Sequence, residues 1–235
     1  MRKRLILLMC CLPTAALAEG PWTGKVSLGF LSTSGNSSAT TLNAATEVIY
    51  SVERFKNTFR ASAINGEQEE VRTAERYTLG NQFDINFDDN NYAFVAVDAE
   101  KDLYGGVRER TTETVGYGRR ILTGPTHKLD AEIGAGARQT LPQGSNQREN
   151  DAIGRLSGRY EWLITDTSTF LQTLKVEGGE ENTFTESISE LKLNIVGNVF
   201  GSLSYTIRNN SDVPVGTDKT DTFTAVNVTY EFGKS

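Results

Sequence analysis

Apolar and polar side chains alternate one for one through most of the chain after residue 20, and no sustained 3.6-residue pattern competes with them. Trp22, Gly24, Val26, Leu28 and Phe30 alternate with Thr23, Lys25, Ser27 and Gly29. Tyr77, Leu79, Phe83, Ile85 and Phe87 alternate with Arg76, Thr78, Gln82, Asp84 and Asn86. The same pattern runs from Leu129 to Arg138, Arg155 to Ile164, Glu190 to Ile195, Ser202 to Arg208 and Val226 to Phe232, and more loosely from Thr41 to Val52. Side chains on a strand point to opposite faces in turn, so each segment is a strand with one apolar and one polar face. Weaker strands are expected over 57–66, 92–102, 112–122 and 169–178. In 92–102 either face can be the apolar one. The pattern predicts an all-β chain of about twelve antiparallel strands in up-and-down order.

The connections fall into two kinds. Tight ones rich in Asp, Asn, Gly, Ser and Thr follow the even-numbered strands: Glu53–Lys56, Asp88–Asn91, Thr123–His127, Thr165–Ser168 and Gly197-Asn198. Longer, more charged ones follow the odd-numbered strands: Ser32–Ala39, Glu67–Glu75, Leu103–Thr111, Leu141–Glu149, Gly179–Glu186 and Asn209–Thr220. Short turns on one rim and long loops on the other are the layout of a transmembrane β-barrel. Several segments also exceed the roughly 5–6 residues usual in soluble sheets, and their polar faces carry charge in mid-strand. A closed barrel in lipid accounts for both features, with its apolar face outward and its charges in a wet lumen. Trp22, Tyr50, Phe55, Phe59, Phe87, Tyr92, Trp162, Phe170 and Phe232 fall near the short-turn rim, where an interfacial girdle belongs. A soluble periplasmic β protein with those aromatics in its core is the structural rival.

The first 18 residues stand apart. Arg2, Lys3 and Arg4 precede the apolar run Leu5–Leu12, and Ala16-Leu17-Ala18 offers small residues at a cleavage site. That is the layout of a secretory signal peptide, with the barrel domain occupying residues 19–235. The run is too short for a spanning helix, which needs roughly 20 residues. Cys10 and Cys11, both in this segment, are the only cysteines, so disulfides and thiolate metal sites are not expected beyond it. The formal net charge of −6 argues against a nucleic-acid partner.

Further motifs carry a family resemblance. They are Gly35-Asn36-Ser37-Ser38, Glu100-Lys101-Asp102, Gly116-Tyr117-Gly118-Arg119 and, most specific, Ser204-Tyr205-Thr206-Ile207-Arg208-Asn209-Asn210-Ser211-Asp212-Val213-Pro214 followed by Lys219-Thr220-Asp221-Thr222. The chain resembles the domain-of-unknown-function 481 group, described as salt-induced outer-membrane proteins. The resemblance implies a bacterial outer-membrane barrel and supplies no catalytic residues.

Chemistry is sparse. The single histidine, His127, lies in an expected short turn, away from a site facing the cell exterior, so an outer-membrane enzyme is a minor alternative. Glu67, Glu69 and Glu70 in one loop, and Glu180 and Glu181 in another, read as solvated acids before they read as a Ca²⁺ site. No cofactor or metal is expected. The charges on polar strand faces form the candidate site: Arg60, Arg76, Asp84, Asp98, Glu100, Asp102, Glu132, Arg138, Arg155, Arg159, Glu190, Lys192 and Arg208. Interspersed signs favour bracing across a lumen largely filled by charged side chains, in a barrel with a structural or envelope-adaptation role. The alternative is a selectivity lining in a narrow channel for small hydrophilic solutes. The expected partners are outer-membrane lipid, lipopolysaccharide and the barrel-insertion machinery.

Overall fold

The structure, a computed structural model, describes residues 20–33 and 39–233. The expected signal peptide over residues 1–18 and the Gly35-Asn36-Ser37-Ser38 motif lie outside the described residues. Twelve strands follow one another: β1 (Trp22–Thr33), β2 (Ala39–Val52), β3 (Phe55–Gln68), β4 (Val71–Asn86), β5 (Asn91–Asp102), β6 (Val107–Thr123), β7 (His127–Pro142), β8 (Glu149–Thr165), β9 (Ser168–Gly178), β10 (Thr183–Val196), β11 (Val199–Asn210) and β12 (Thr220–Phe232). Each pairs antiparallel with the next, and β1 pairs with β12, so the sheet closes on itself. No helix occurs among the described residues. This is the closed up-and-down barrel that the alternation predicts.

The register sorts the side chains as the alternation requires. Leu28, Leu42, Leu79, Val97, Val115, Leu156, Leu203 and Val226 stand exposed on the outer wall, and Ile133 is 63% accessible there. Inside, Asp84, Arg138 and Glu177 are 0%, 1% and 1% accessible. A soluble protein would hide the first set and expose the second. Hydrocarbon around the barrel reverses both preferences, and closure leaves no strand edge unpaired within it. The chain is therefore a barrel built to span a lipid bilayer.

Glycines sit where the wall must admit a neighbour. Gly29 lies between Asn43 of β2 and Asn227 of β12. Asn43 Nδ2 donates to Asn227 Oδ1 across it at 3.1 Å, in space that a Cβ on Gly29 would invade. With the Ser27–Thr229 hydroxyl contact at 2.7 Å, this braces the closing seam from inside.

The girdle forms at the short-turn rim. Trp22 and Tyr50 meet at 4.6 Å between ring centroids, and Phe55 stacks on Phe83 at 5.8 Å. Tyr92 departs from expectation. It is only 4% accessible and lies in the lumen with Phe94 and Ala96, while Val95 and Val97 face outward. That settles the ambiguous face of 92–102. The reason lies in the neighbouring strand. Gly118 leaves the room that the Tyr92 ring fills, and a Cβ on Gly116 would come within 2.7 Å of the Phe94 ring. Both glycines belong to the Gly116-Tyr117-Gly118-Arg119 motif, which serves here as a recess for inward aromatics.

The strands also run further toward the long-loop rim than expected. The anticipated loop Glu67–Glu75 is a two-residue turn at Glu69-Glu70, with φ of 50° and 66°, between β3 and β4. Two positive φ values suit the right-handed twist of a tight hairpin. The anticipated loop Leu103–Thr111 shrinks to residues 103–106. Charged residues at a strand end read as loop, yet beyond the bilayer a strand continues in water, where its charges are solvated. Arg72 and Glu75, for example, pair at 2.6 Å in β4.

Candidate functional site

Every candidate lumen charge lies on the inward face of its strand, and the barrel brings most of them together in linked groups. Toward the short-turn rim, Glu47 of β2 meets Arg60 of β3 at 2.7 Å and Lys25 of β1 at 3.7 Å. Asp84 of β4 meets Lys56 at 3.2 Å and accepts from the Gln82 amide at 2.9 Å. Glu132 of β7 accepts from Gln82 at 2.8 Å, Tyr92 at 2.9 Å and Ser157 at 2.8 Å. Lys192 of β10 reaches Glu231 of β12 at 2.7 Å. The contacts of Glu132 join β4, β5, β7 and β8 across the interior rather than along one strand pair.

Arg155 of β8 links this group to the next. Its guanidinium lies 3.3 Å from Asp98 of β5 and 3.8 Å from Glu132, and it donates to Thr114 at 3.2 Å. Beyond it, Arg208 of β11 makes a two-pronged contact with Glu100 of β5 at 2.7 and 2.6 Å, and its Nε stands 2.9 Å from Glu186 of β10. In strand order β5 and β11 are six apart in a ring of twelve, so this contact spans the lumen. Arg76 approaches Asp102 at 3.9 Å, and Arg138 meets Asp151 at 2.9 Å. Arg159 and Glu190 line the same interior without an ion pair within 4.0 Å among the described residues.

Several inward residues were not among the candidates. Phe184 of β10 is 1% accessible, and three cations converge on its ring: Arg110 at 4.4 Å, Arg208 at 4.9 Å and Lys175 at 5.4 Å. Arg110, Phe184 and Glu186 fall in stretches that read as loop, so nothing in the pattern turned them inward. Glu47 and Lys25 were visible as polar-face charges, whereas Lys56 read as part of a short turn and belongs to β3. Their partners depend on register and strand tilt, which a single chain does not display.

The charges leave space between them. A cavity of about 560 Å³ runs from Lys25 and Lys56, near the short-turn rim, to Arg76, Arg110 and Phe184. At the opposite rim the β11–β12 connection, residues 211–219, crosses the mouth to the β5–β6 connection. A Cβ on Gly106 would lie 3.1 Å from Thr217 Cγ2 and 3.2 Å from Val213 Cγ1. The strap is tied down at its start, where the Asp212 N–H donates to Asn182 Oδ1 at 3.1 Å. At its end Lys219 Nζ donates to the Ser211 carbonyl at 2.6 Å. It contains Ser211-Asp212-Val213-Pro214, the end of the most specific family motif.

His127 opens β7 on the outer wall. Its Nδ1 lies 2.8 Å from the Tyr160 hydroxyl, and its ring stacks against Tyr160 and Trp162 with centroids 6.0 Å from each. It belongs to the interfacial girdle. Among the described residues no group of three or more His, Cys, Asp or Glu is arranged to hold a metal ion.

The sequence profile of the DUF481 family, proteins of unknown function, matches residues 26–232. The uncharacterized protein YdiY of Escherichia coli (strain K12) is 33% identical over 218 residues, covering 92% of this chain and 85% of YdiY. Among solved structures, the NanC porin superposes with a TM-score of 0.53 at 13% identity, over 90% of this chain and 100% of the porin. An outer membrane channel from Pseudomonas putida F1 gives a TM-score of 0.53 at 13% identity, over 92% of this chain and 97% of the channel. These two likenesses concern the fold.

Proposed function

The chain belongs to the DUF481 family and folds as an outer-membrane barrel, and from that premise we propose that it is a closed barrel with a structural, envelope-adaptive role. The observation that carries this reading is the double obstruction toward the long-loop rim. There the Arg208–Glu100–Glu186 brace crosses the lumen beneath a strap that crosses the mouth. Buried opposite charges hold each other far more strongly than exposed ones, so such a brace resists opening. Acyl chains cover the outer wall, lipopolysaccharide meets the charged loop rim, and the insertion machinery acts during assembly. The barrel is non-catalytic in this reading, which the use of its single histidine as a girdle residue supports.

The cavity favours a second reading, a narrow channel for small hydrophilic solutes. Planar-bilayer recording of the purified full barrel separates the two. The closed reading expects a silent wild type and discrete conductance steps once residues 213–217 are deleted and Arg208 is replaced by Met. Reproducible single-channel steps from the wild type would overturn it in favour of the channel.

A further inference from the structure

We propose that the end of the lumen cavity toward the long-loop rim is a binding site for a small solute bearing an oxyanion, held by Arg76 and Arg110. The proposal stands whether or not the lumen conducts, because it concerns occupancy and not passage.

Both arginines line the cavity, and they are only 4% and 5% accessible. Each keeps a buried guanidinium nitrogen without an acceptor among the described residues: Nη1 of Arg76 and Nε of Arg110. Buried donors are nearly always satisfied, and charged ones most of all. Three of the neighbouring carboxylates, Glu100, Glu186 and Asp102, are already engaged. Glu100 accepts both prongs of Arg208, with Glu186 on the same guanidinium. Asp102 Oδ1 accepts the N–H groups of Tyr104 and Gly105 at 3.0 and 2.8 Å, which leaves Arg76 at 3.9 Å from the other oxygen. Arg110 has no carboxylate within 4.0 Å among the described residues, and its Nη2 donates to Asn210 Oδ1 at 2.6 Å.

The aromatic rings fix how these arginines are presented. The Arg76 guanidinium lies over Phe223 at 4.3 Å and that of Arg110 over Phe184 at 4.4 Å. The N–H groups of a guanidinium lie in its own plane and form its edge. That edge matches the two oxygens of a carboxylate or two oxygens of a phosphate. The rings also hold the long side chains in place, so little freedom is lost when an anion binds. At about 560 Å³ the cavity falls in the range that encloses small ligands, and the Thr78, Thr112 and Thr206 side chains on its wall suit a hydrophilic one.

The test is calorimetric titration of the full chain, refolded in detergent, with acetate and with inorganic phosphate at constant ionic strength. The proposal expects saturable binding at one site per barrel for at least one of the two probes. The stronger probe identifies the oxyanion class. Arg76→Gln and Arg110→Gln each weaken binding by about tenfold or more, the loss expected for a charge-assisted hydrogen bond. Heat-modifiable gel mobility reports whether each variant is folded. Where a glutamine variant does not fold, Arg110→Lys serves in its place, because it keeps the charge and loses the fork. Absence of saturable heat with both probes would overturn the proposal, as would folded variants that bind like the wild type. Water would then satisfy the two arginines.

Discussion

Replacing Arg208 by Met tests whether the cross-lumen brace is a buried ion pair that the fold depends on. Methionine fills much of the same volume and carries no charge. The Arg208 and Glu100 side chains are 9% and 13% accessible, and the contact is two-pronged at 2.7 and 2.6 Å. The substitution removes that contact and strands Glu186, whose carboxylate stands 2.9 Å from Arg208 Nε. Removing one partner of a buried pair costs about 3–5 kcal/mol, because the remaining charge stays desolvated. With an m-value of about 2 kcal/mol/M in urea, the unfolding midpoint falls by about 2 M. The assay is urea unfolding of the barrel in phospholipid vesicles, followed by tryptophan fluorescence and gel mobility together. Adding Glu100→Gln to Arg208→Met neutralises the stranded partner. The double variant is therefore more stable than the sum of the two single losses predicts, with a coupling of about 1–3 kcal/mol. A single variant within about 0.5 kcal/mol of the wild type would refute the reasoning, as would strictly additive losses.

Gly118→Val drives a branched side chain into the Tyr92 ring and costs about 1–3 kcal/mol by overpacking, whereas Gly154→Ala, with nothing within 4 Å of its new methyl group, leaves the temperature of heat-modified gel migration unchanged. Leu156→Arg places a charge on the outer wall at a residue 56% accessible to lipid and lowers stability in vesicles by about 2–4 kcal/mol, an effect that a soluble barrel would not show. In the β4–β5 turn, the Asn91 side chain donates to both Asp88 carboxylate oxygens, and with the Asn90 and Asn91 N–H groups it holds that carboxyl below the usual carboxylate range. A depressed folded pKa contributes stability above the unfolded value and loses it as pH falls through the folded one. Amide protection at Asn90 and Asn91 therefore persists from neutral pH into the acid range and collapses only below the ordinary Asp titration, while Asp88→Asn removes this pH dependence.

What the chain reveals before folding, and what it withholds, follows from the geometry of a strand. Alternation tells which face a side chain takes, so Glu132, Arg155 and Arg208 could be assigned to the lumen from neighbours one and two residues away. It does not tell what a lumen charge meets. Arg208 finds Glu100 at a sequence separation of 108, and Gln82 finds Glu132 at 50. Those pairings depend on how far each strand is staggered against the next, summed around the ring, and a single sequence carries that sum only implicitly. Alternation also fails where charge is dense. Arg110 and Glu186 looked like loop because strand ends outside the bilayer are as polar as loops. They are nonetheless paired strand, and Phe184 beside them is the marker that separates the two cases. An aromatic at an inward position among charged residues has no reason to sit in a solvated loop, but it gives stacking arginines a surface. The same reasoning explains Tyr92 and Phe94 opposite Gly116 and Gly118. In a barrel whose lumen is polar, inward aromatics, and the glycines that make room for them, mark where the interior is shaped rather than merely wet.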